Sequence, residues 1–179
     1  LWNADDDMKN FQRNLSIGEV EVIGSTIYHK TEYRERRNHY AVYSVNSAID
    51  GFDTSRDEFI GAYRGAECPE VVANGKANNS MASGWSPIAS HQLNVSLAPG
   101  ASKTFVFVLG YVENPVEEKW ESYGIINKIP AAAMLAKYQT DADVEKAFQA
   151  LQTHWNGLLS KYTVKSEDDK VNRMVNIWN

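Results

Sequence analysis

Residues 10–46 read NFQRNLSIGEVEVIGSTIYHKTEYRERRNHYAVYSVN, and the alternation inside this stretch predicts an antiparallel sheet. Glu19-Val20-Glu21-Val22 alternates charged and apolar side chains, which in extended chain puts them on opposite faces. Gly24-Ser25 marks a turn, and Thr26-Ile27-Tyr28-His29-Lys30 carries the β-branched and aromatic residues of a second strand. A charged bend, Tyr33-Arg34-Glu35-Arg36-Arg37, leads into a third strand over residues 39–45. Ahead of the first strand lies a polar, aromatic patch, Asn10-Phe11-Gln12-Arg13-Asn14. The sheet is therefore read as scaffold and the patch as the part placed to touch a ligand.

The strongest strand signal outside this stretch is KTFVFVLGYV, residues 103–112, whose near-continuous apolar run predicts a strand covered on both faces. It follows a Pro99-Gly100 turn and a weaker alternation over residues 88–97. Residues 49–51 read as a turn, and residues 53–60 as a short helical segment capped by Asp53. Residues 61–86 are rich in Gly, Asn, Ser and Ala; so long a polar stretch is a functional or interface loop, or a plain surface excursion. The fold class expected for residues 1–113 is mainly β, an antiparallel β-sandwich.

The character changes at Asn114-Pro115, and from Glu117 onward the apolar period is helical. Pro130 suits the first turn of a helix through Ala131, Met134, Leu135 and Tyr138. Thr140 and Asp143 form a capping pair for a helix with apolar positions Val144, Phe148, Leu151, Trp155, Leu158, Leu159 and Tyr162. Ser166 with Asp169 opens a third helix bearing Val171, Met174, Val175 and Trp178. Residues 114–179 are thus expected to form an α-helical linker. The chain starts at Leu1-Trp2-Asn3 in apolar sequence and stops at Trp178-Asn179 inside a helical pattern, which predicts a piece of a longer protein.

Composition bounds the function classes. The 179 residues are 43% hydrophobic, enough for one domain with a core. A net charge of −5, mixed along the chain, predicts no nucleic-acid partner and no anionic-membrane partner. No apolar run has the length of a membrane span, and no signal-peptide pattern is present. Cys68 is the only cysteine, so no internal disulfide can form, and a reducing, cytoplasmic location is expected. Asn14-Leu15-Ser16, Asn78-Asn79-Ser80 and Asn94-Val95-Ser96 match the glycosylation sequon but carry little weight in an Asn- and Ser-rich chain.

No self-sufficient active site is legible. His29, His39, His91 and His154 lack metal-ligand spacing and read as structural or exposed. Cys68-Pro69 reads as a passive thiol, Asp5-Asp6-Asp7 as a solvated loop, and the glycines are too dispersed for a phosphate loop. Arg34, Arg36 and Arg37 could clamp an anion, but interleaved with Glu32 and Glu35 they read as an ion-pair network. Gln12 and Arg13 are the better binding residues. An amide and a guanidinium fork beside Phe11 and Trp2 suit sugar hydroxyls, with a ring face for C–H contacts.

Several long segments carry a resemblance: LWNADDDMKNFQRNLSIGEVEV at the start, IYHKTEYRERRNHYAVYSVN, SGWSPIASHQLNVSLAPG, FVFVLGYVENPVEEKWE, and the closing LLSKYTVKSEDDKVNRMVNIWN. In these the chain resembles the inverting glycoside phosphorylases of cellobiose phosphorylase type, from end to end and in the same order. The resemblance implies the later part of a galactose-mutarotase-like super-sandwich, then a helical linker leading to a catalytic (α/α)6 barrel. It implies reversible phosphorolysis of cellobiose, or a related β-linked disaccharide, to α-glucose 1-phosphate and glucose. Inorganic phosphate is then co-substrate and no cofactor is expected. The general-acid aspartate would lie outside this chain, so no catalytic residue is assigned within it. By resemblance, Gln12, Arg13 and Asn3 would contact the departing sugar of the partner subunit in a homodimer. The competing expectation is a non-catalytic β-sandwich module for carbohydrate binding or dimerisation.

Overall fold

A computed structural model describes residues 18–31, 38–84 and 87–177. The chain forms two compact units, Leu1–Tyr138 and Gln139–Asn179. The first is built on a five-stranded antiparallel sheet. Strand β1 (Gly18–Ile23) pairs with β2 (Thr26–Thr31), β2 with β3 (His39–Val45), and β3 with β7 (Phe107–Glu113). The short β5 (Ser83–Gly84) closes the other edge, giving the order β5-β1-β2-β3-β7. A two-stranded sheet of β4 (Gly51–Asp53) and β6 (Ser90–Gln92), and a hairpin of β8 (Trp120–Ser122) and β9 (Ile125–Ile126), complete the β structure.

The predicted strands β1, β2 and β3 stand where the alternation put them. Gly24, at φ +57°, makes the β1–β2 turn in a region where a side chain is strained. The register of a pleated sheet then sorts side chains by parity. Tyr28, Tyr40, Val42 and Val112 face one way and form a core with Ile126 and with Ala131 and Leu135 of helix α3 (Ile129–Leu135). Val20 and Ile27 face the other way, joined by Ala82, Val22, Tyr43 and Phe52 of β4. The sheet is thus covered on one face by α3 and the hairpin, and on the other by the β4–β6 layer.

Several expectations are corrected. The run over residues 103–112 forms a strand only from Phe107, and it is an edge strand. Phe107, Leu109 and Tyr111 are exposed, Leu109 at 61%, so among the described residues β7 is fully covered on one face only. Apolar content alone cannot distinguish a doubly covered strand from an edge strand with one open apolar face. Residues 49–51 are not simply a turn, because Gly51 already belongs to β4. Helix α1 (Arg56–Ile60) is capped by Ser55, whose hydroxyl accepts from the Glu58 N–H; Asp53 points into the interior instead. Only Ser90–Gln92 of the predicted 88–97 strand is extended and paired. The helical period read from Glu117 fails over Trp120–Ile126, where the chain turns at Gly124 (φ +72°) into a hairpin.

Helix α3 carries Pro130 in its first turn, as its position in the sequence predicts, and continues as a tighter turn to Tyr138. In the second unit, α4 (Asp141–Leu159) has the predicted capping box: the Thr140 hydroxyl accepts from the Asp143 N–H, and the Asp143 carboxylate accepts from the Thr140 N–H. Tyr162 falls beyond its end. In α5 (Asp169–Ile177), Asp168 accepts from the Lys170 N–H, while Ser166 is tied to Asn172 rather than paired with Asp169. Trp178 lies outside the described residues. Within these two helices Phe148, Leu151, Trp155, Leu158 and Met174 remain exposed.

Candidate functional site

Asn3, Gln12 and Arg13 lie outside the described residues, as do Arg34, Arg36 and Arg37. In sequence, Arg13 stands five positions before Gly18, the first residue of β1. Among the described residues, two polar assemblies and one aromatic one stand around that strand and the layers packed on it.

The first is a charged cluster between the sheet and the hairpin. Lys30 on β2 is 3% exposed and donates from Nζ to Glu19 Oε2 at 2.8 Å and to the Gly124 carbonyl at 2.7 Å. It also lies 2.9 Å from Glu21 Oε1. Lys128, at the start of α3 and 7% exposed, pairs with Glu21 Oε2 and donates to the Ile126 carbonyl at 2.9 Å. Glu21 accepts in addition from the Ile126 N–H at 3.0 Å. Glu121 accepts from the Lys128 N–H at 2.8 Å. One carboxylate thus holds a cation from the sheet, a cation from the helix start and an amide from β9.

The electrostatics of the cluster follow from its closure. Burial pushes the Glu21 carboxyl up, but its bonds to Lys128, Ile126 and Lys30 outweigh that and hold it below the usual carboxylate value. For Lys30, burial pushes down, and Glu19 with Glu21 more than reverses it. The neighbouring Tyr40 is fully buried and its phenol is pushed up to about 12, chiefly by desolvation. The shifts of Glu21 and Lys30 favour their charged forms, and that of Tyr40 its neutral form. Such a cluster fastens the hairpin and α3 to the sheet and is poorly suited to exchanging protons with a substrate.

The second assembly fixes the polar stretch read as a functional loop or surface excursion. Asp53 is fully buried and accepts from the Ser80 hydroxyl at 2.6 Å and from the N–H groups of Ser80 and Asn78 at 3.1 Å each. The Thr54 hydroxyl donates to the Ser80 carbonyl and accepts from the Ala82 N–H. Gln92 on β6 accepts from the Ala77 N–H at 2.7 Å. Residues 76–82 are therefore laced onto β4 and β6. The outer part of the stretch holds helix α2 (Glu70–Asn74) and the exposed Tyr63, at φ +60°. Cys68 is exposed, with the Arg64 guanidinium 3.7 Å from its sulfur.

The third assembly is aromatic. His91 on β6 stacks on Tyr43 at 4.8 Å between ring centroids and lies 6.5 Å from Phe107. Both its ring nitrogens are buried without a hydrogen-bond partner among the described residues, and burial pulls its pKa down. His39 lies on β3, where it meets Tyr111 and approaches Glu113 at 3.5 Å; His154 lies on α4. Among the described residues no three His, Cys, Asp or Glu side chains form a metal-binding group, and no helix is long and apolar enough to cross a membrane.

Sequence reading missed the charged cluster. The signal was present, since Glu19, Glu21 and Lys30 share one face of two predicted strands. Alternation puts these side chains on one face but supplies no partner for them; only the position of Lys128 and the hairpin turns that face inward.

Comparison with known proteins places residues 1–141 in register with the glycosyl hydrolase 94 supersandwich domain. The chain is 29% identical over 178 residues to an N,N'-diacetylchitobiose phosphorylase of Vibrio furnissii, covering 96% of this chain and 20% of that protein. It is 29% identical over 129 residues to the enzyme of the same name from Vibrio proteolyticus, covering 72% of this chain and 14% of the relative. A 3-O-beta-D-glucopyranosyl-beta-D-glucuronide phosphorylase of Paenibacillus borealis is 26% identical over 129 residues, covering 72% of this chain and 15% of the relative. The chain thus spans a fifth or less of the length of these relatives.

Proposed function

The chain belongs to the glycosyl hydrolase 94 supersandwich family, and from that premise we propose that the whole protein is an inverting disaccharide phosphorylase. The observation that carries this reading is the supersandwich match over residues 1–141, in a chain similar to phosphorylases of two substrate types. The substrate we assign is cellobiose, on the segments that resemble cellobiose phosphorylases. In the reaction, a carboxylic acid protonates the leaving glycosidic oxygen while a phosphate oxygen attacks the anomeric carbon from the opposite face. The C–O bond to the departing glucose breaks, the C–O bond to phosphate forms, and the products are α-glucose 1-phosphate and glucose. Phosphate is already anionic, so no second carboxylate is needed to activate the nucleophile, and no cofactor takes part.

In this reading the sandwich supplies scaffold and homodimer interface, residues 114–179 lead toward a barrel bearing the general acid, and the protein works in the cytoplasm. Gln12 and Arg13, with Asn3, contact the departing glucose. The supporting observation is of residue types: an amide and a guanidinium that follow Phe11 in sequence, with Trp2 ten positions before Gln12, are a set that suits a hydroxyl-rich ring. Arg13→Ala is expected to weaken glucose as acceptor in the synthetic direction about ten- to hundredfold, the cost of a charged hydrogen bond. Unchanged acceptor kinetics would remove Arg13 from the subsite.

The deciding assay incubates the whole protein with phosphate and, separately, cellobiose, N,N'-diacetylchitobiose and the glucosyl glucuronide, and follows release of sugar 1-phosphate. Phosphate-dependent cleavage of cellobiose supports the full reading. Cleavage of one of the other sugars alone keeps the reaction class and overturns the substrate. Hydrolysis independent of phosphate overturns both.

A further inference from the structure

The β4–β6 layer rests on the five-stranded sheet through few apolar groups: Phe52 and Ala82 against Val20, Val22, Ile27 and Tyr43, together with the His91 ring on Tyr43 and Phe107. His91 stands opposite Phe52 in the β4–β6 register, at the middle of both short strands. Its nitrogens are enclosed and unpartnered among the described residues. A neutral imidazole leaves one donor and one acceptor unmade there; a protonated one would enclose a cation with two unmade donors, which costs far more.

Among the described residues the surroundings offer that cation no free counter-charge. From β3 it meets the neutral phenol of Tyr43, and from β7 the ring of Phe107. On β4 the carboxylate of Asp53 is saturated by Ser80 and Asn78, and next to β4 Asp50 accepts from the Asn94 N–H at 2.7 Å. Gln92, beside it on β6, is occupied by Ala77 and Gly75. On the same face of β3 and β7, His39 and Glu113 are engaged with each other. The attraction of a cation for two ring faces is smaller than the cost of an enclosed, unpaired charge.

We propose that His91 makes the β4–β6 layer an acid-released lid on the five-stranded sheet. When the imidazole takes a proton the layer lifts so that the ring nitrogens can reach water, and the five-stranded sheet and its α3 core stay folded. The lift carries more than two short strands. Residues 76–82 are bonded to Asp53, Thr54, Phe52 and Gln92, so they move with the layer. The opening constant rises as pH falls below about 6.5, the ordinary histidine value, by up to tenfold per pH unit, because the lifted state binds one proton more.

The test is hydrogen exchange of the whole protein at pH 7.5 and 5.5, corrected for the intrinsic rate and read by peptide. Peptides spanning 51–53, 76–82 and 90–92 should lose at least about fivefold of their protection at pH 5.5, while peptides from 39–45 and 107–113 keep theirs. His91→Phe retains a stacked ring without a titrating group and should abolish the difference; His91→Tyr serves if that variant fails to fold. Equal protection at both pH values overturns the proposal, as does the same acid-induced loss in either variant. A His91 that titrates in the folded protein at or above its ordinary value overturns it as well.

Discussion

At the scale of the residue, Glu21 is the side chain on which most depends. It holds Lys30 and Lys128, both nine-tenths buried or more, and removing it leaves two enclosed cations short of a counter-charge. Breaking a buried pair from one side costs more than the pair contributes, so Glu21→Leu should destabilise the first unit by about 3–5 kcal/mol in urea unfolding. Replacing the group together with both lysines by apolar residues should recover much of that loss. The pH dependence has a definite sign. The folded carboxyl titrates below its usual range, so its contribution is complete above about pH 4.5 and is lost as pH falls through the folded value. Stability that is flat between pH 5 and pH 2 in the wild type would contradict this assignment.

At the scale of the element, the contact between α3 and β7 depends on a missing side chain. Gly110 faces α3, and a Cβ there would overlap the end of Met134 and stand 3.1 Å from Val42 Cγ1. Gly110→Ala should therefore cost about 1–2 kcal/mol by overpacking, measured by thermal or denaturant unfolding. Met134 is the yielding partner, so in a double-mutant cycle Met134→Ala should offset part of that cost. Additive effects would mean that the two sites do not press on each other. Glycine in the middle of a strand ordinarily weakens it; here the absent methyl is what lets the helix approach.

At the scale of the whole molecule, the two compact units differ in how much they bury. The first holds two apolar clusters and the closed charge network, whereas α4 and α5 leave Phe148, Leu151, Trp155 and Met174 exposed. Limited proteolysis of the 179-residue chain should cut first within residues 139–179 and leave a resistant product ending near Tyr138, identifiable by mass. Early cuts in β1, β2 or β3 would overturn that ranking. The same imbalance explains why the period of α4 was readable although its apolar face has no cover among the described residues. The pattern belongs to the helix and not to what lies over it.

The sequence by itself determined what local chemistry can determine. Alternation placed β1, β2 and β3, Gly24 turned the first hairpin, Pro130 opened α3, and Thr140 with Asp143 capped α4. Each depends on neighbours within a few positions, where strand and helix periods and capping bonds act. The Gln12, Arg13 and Asn3 subsite was legible only as residue types and a resemblance, and those positions lie outside the described residues. Tertiary structure alone decided which charges face inward, that Asp53 serves Ser80 and Asn78 rather than a helix end, and that residues 120–126 fold back as a hairpin. Among the described residues it also made β7 an edge strand with a largely open apolar face. The reason is separation along the chain. Lys30 meets Gly124, Glu21 meets Ile126, and Asp53 meets Ser80 across gaps of 94, 105 and 27 residues, and no local pattern records a partner that distant.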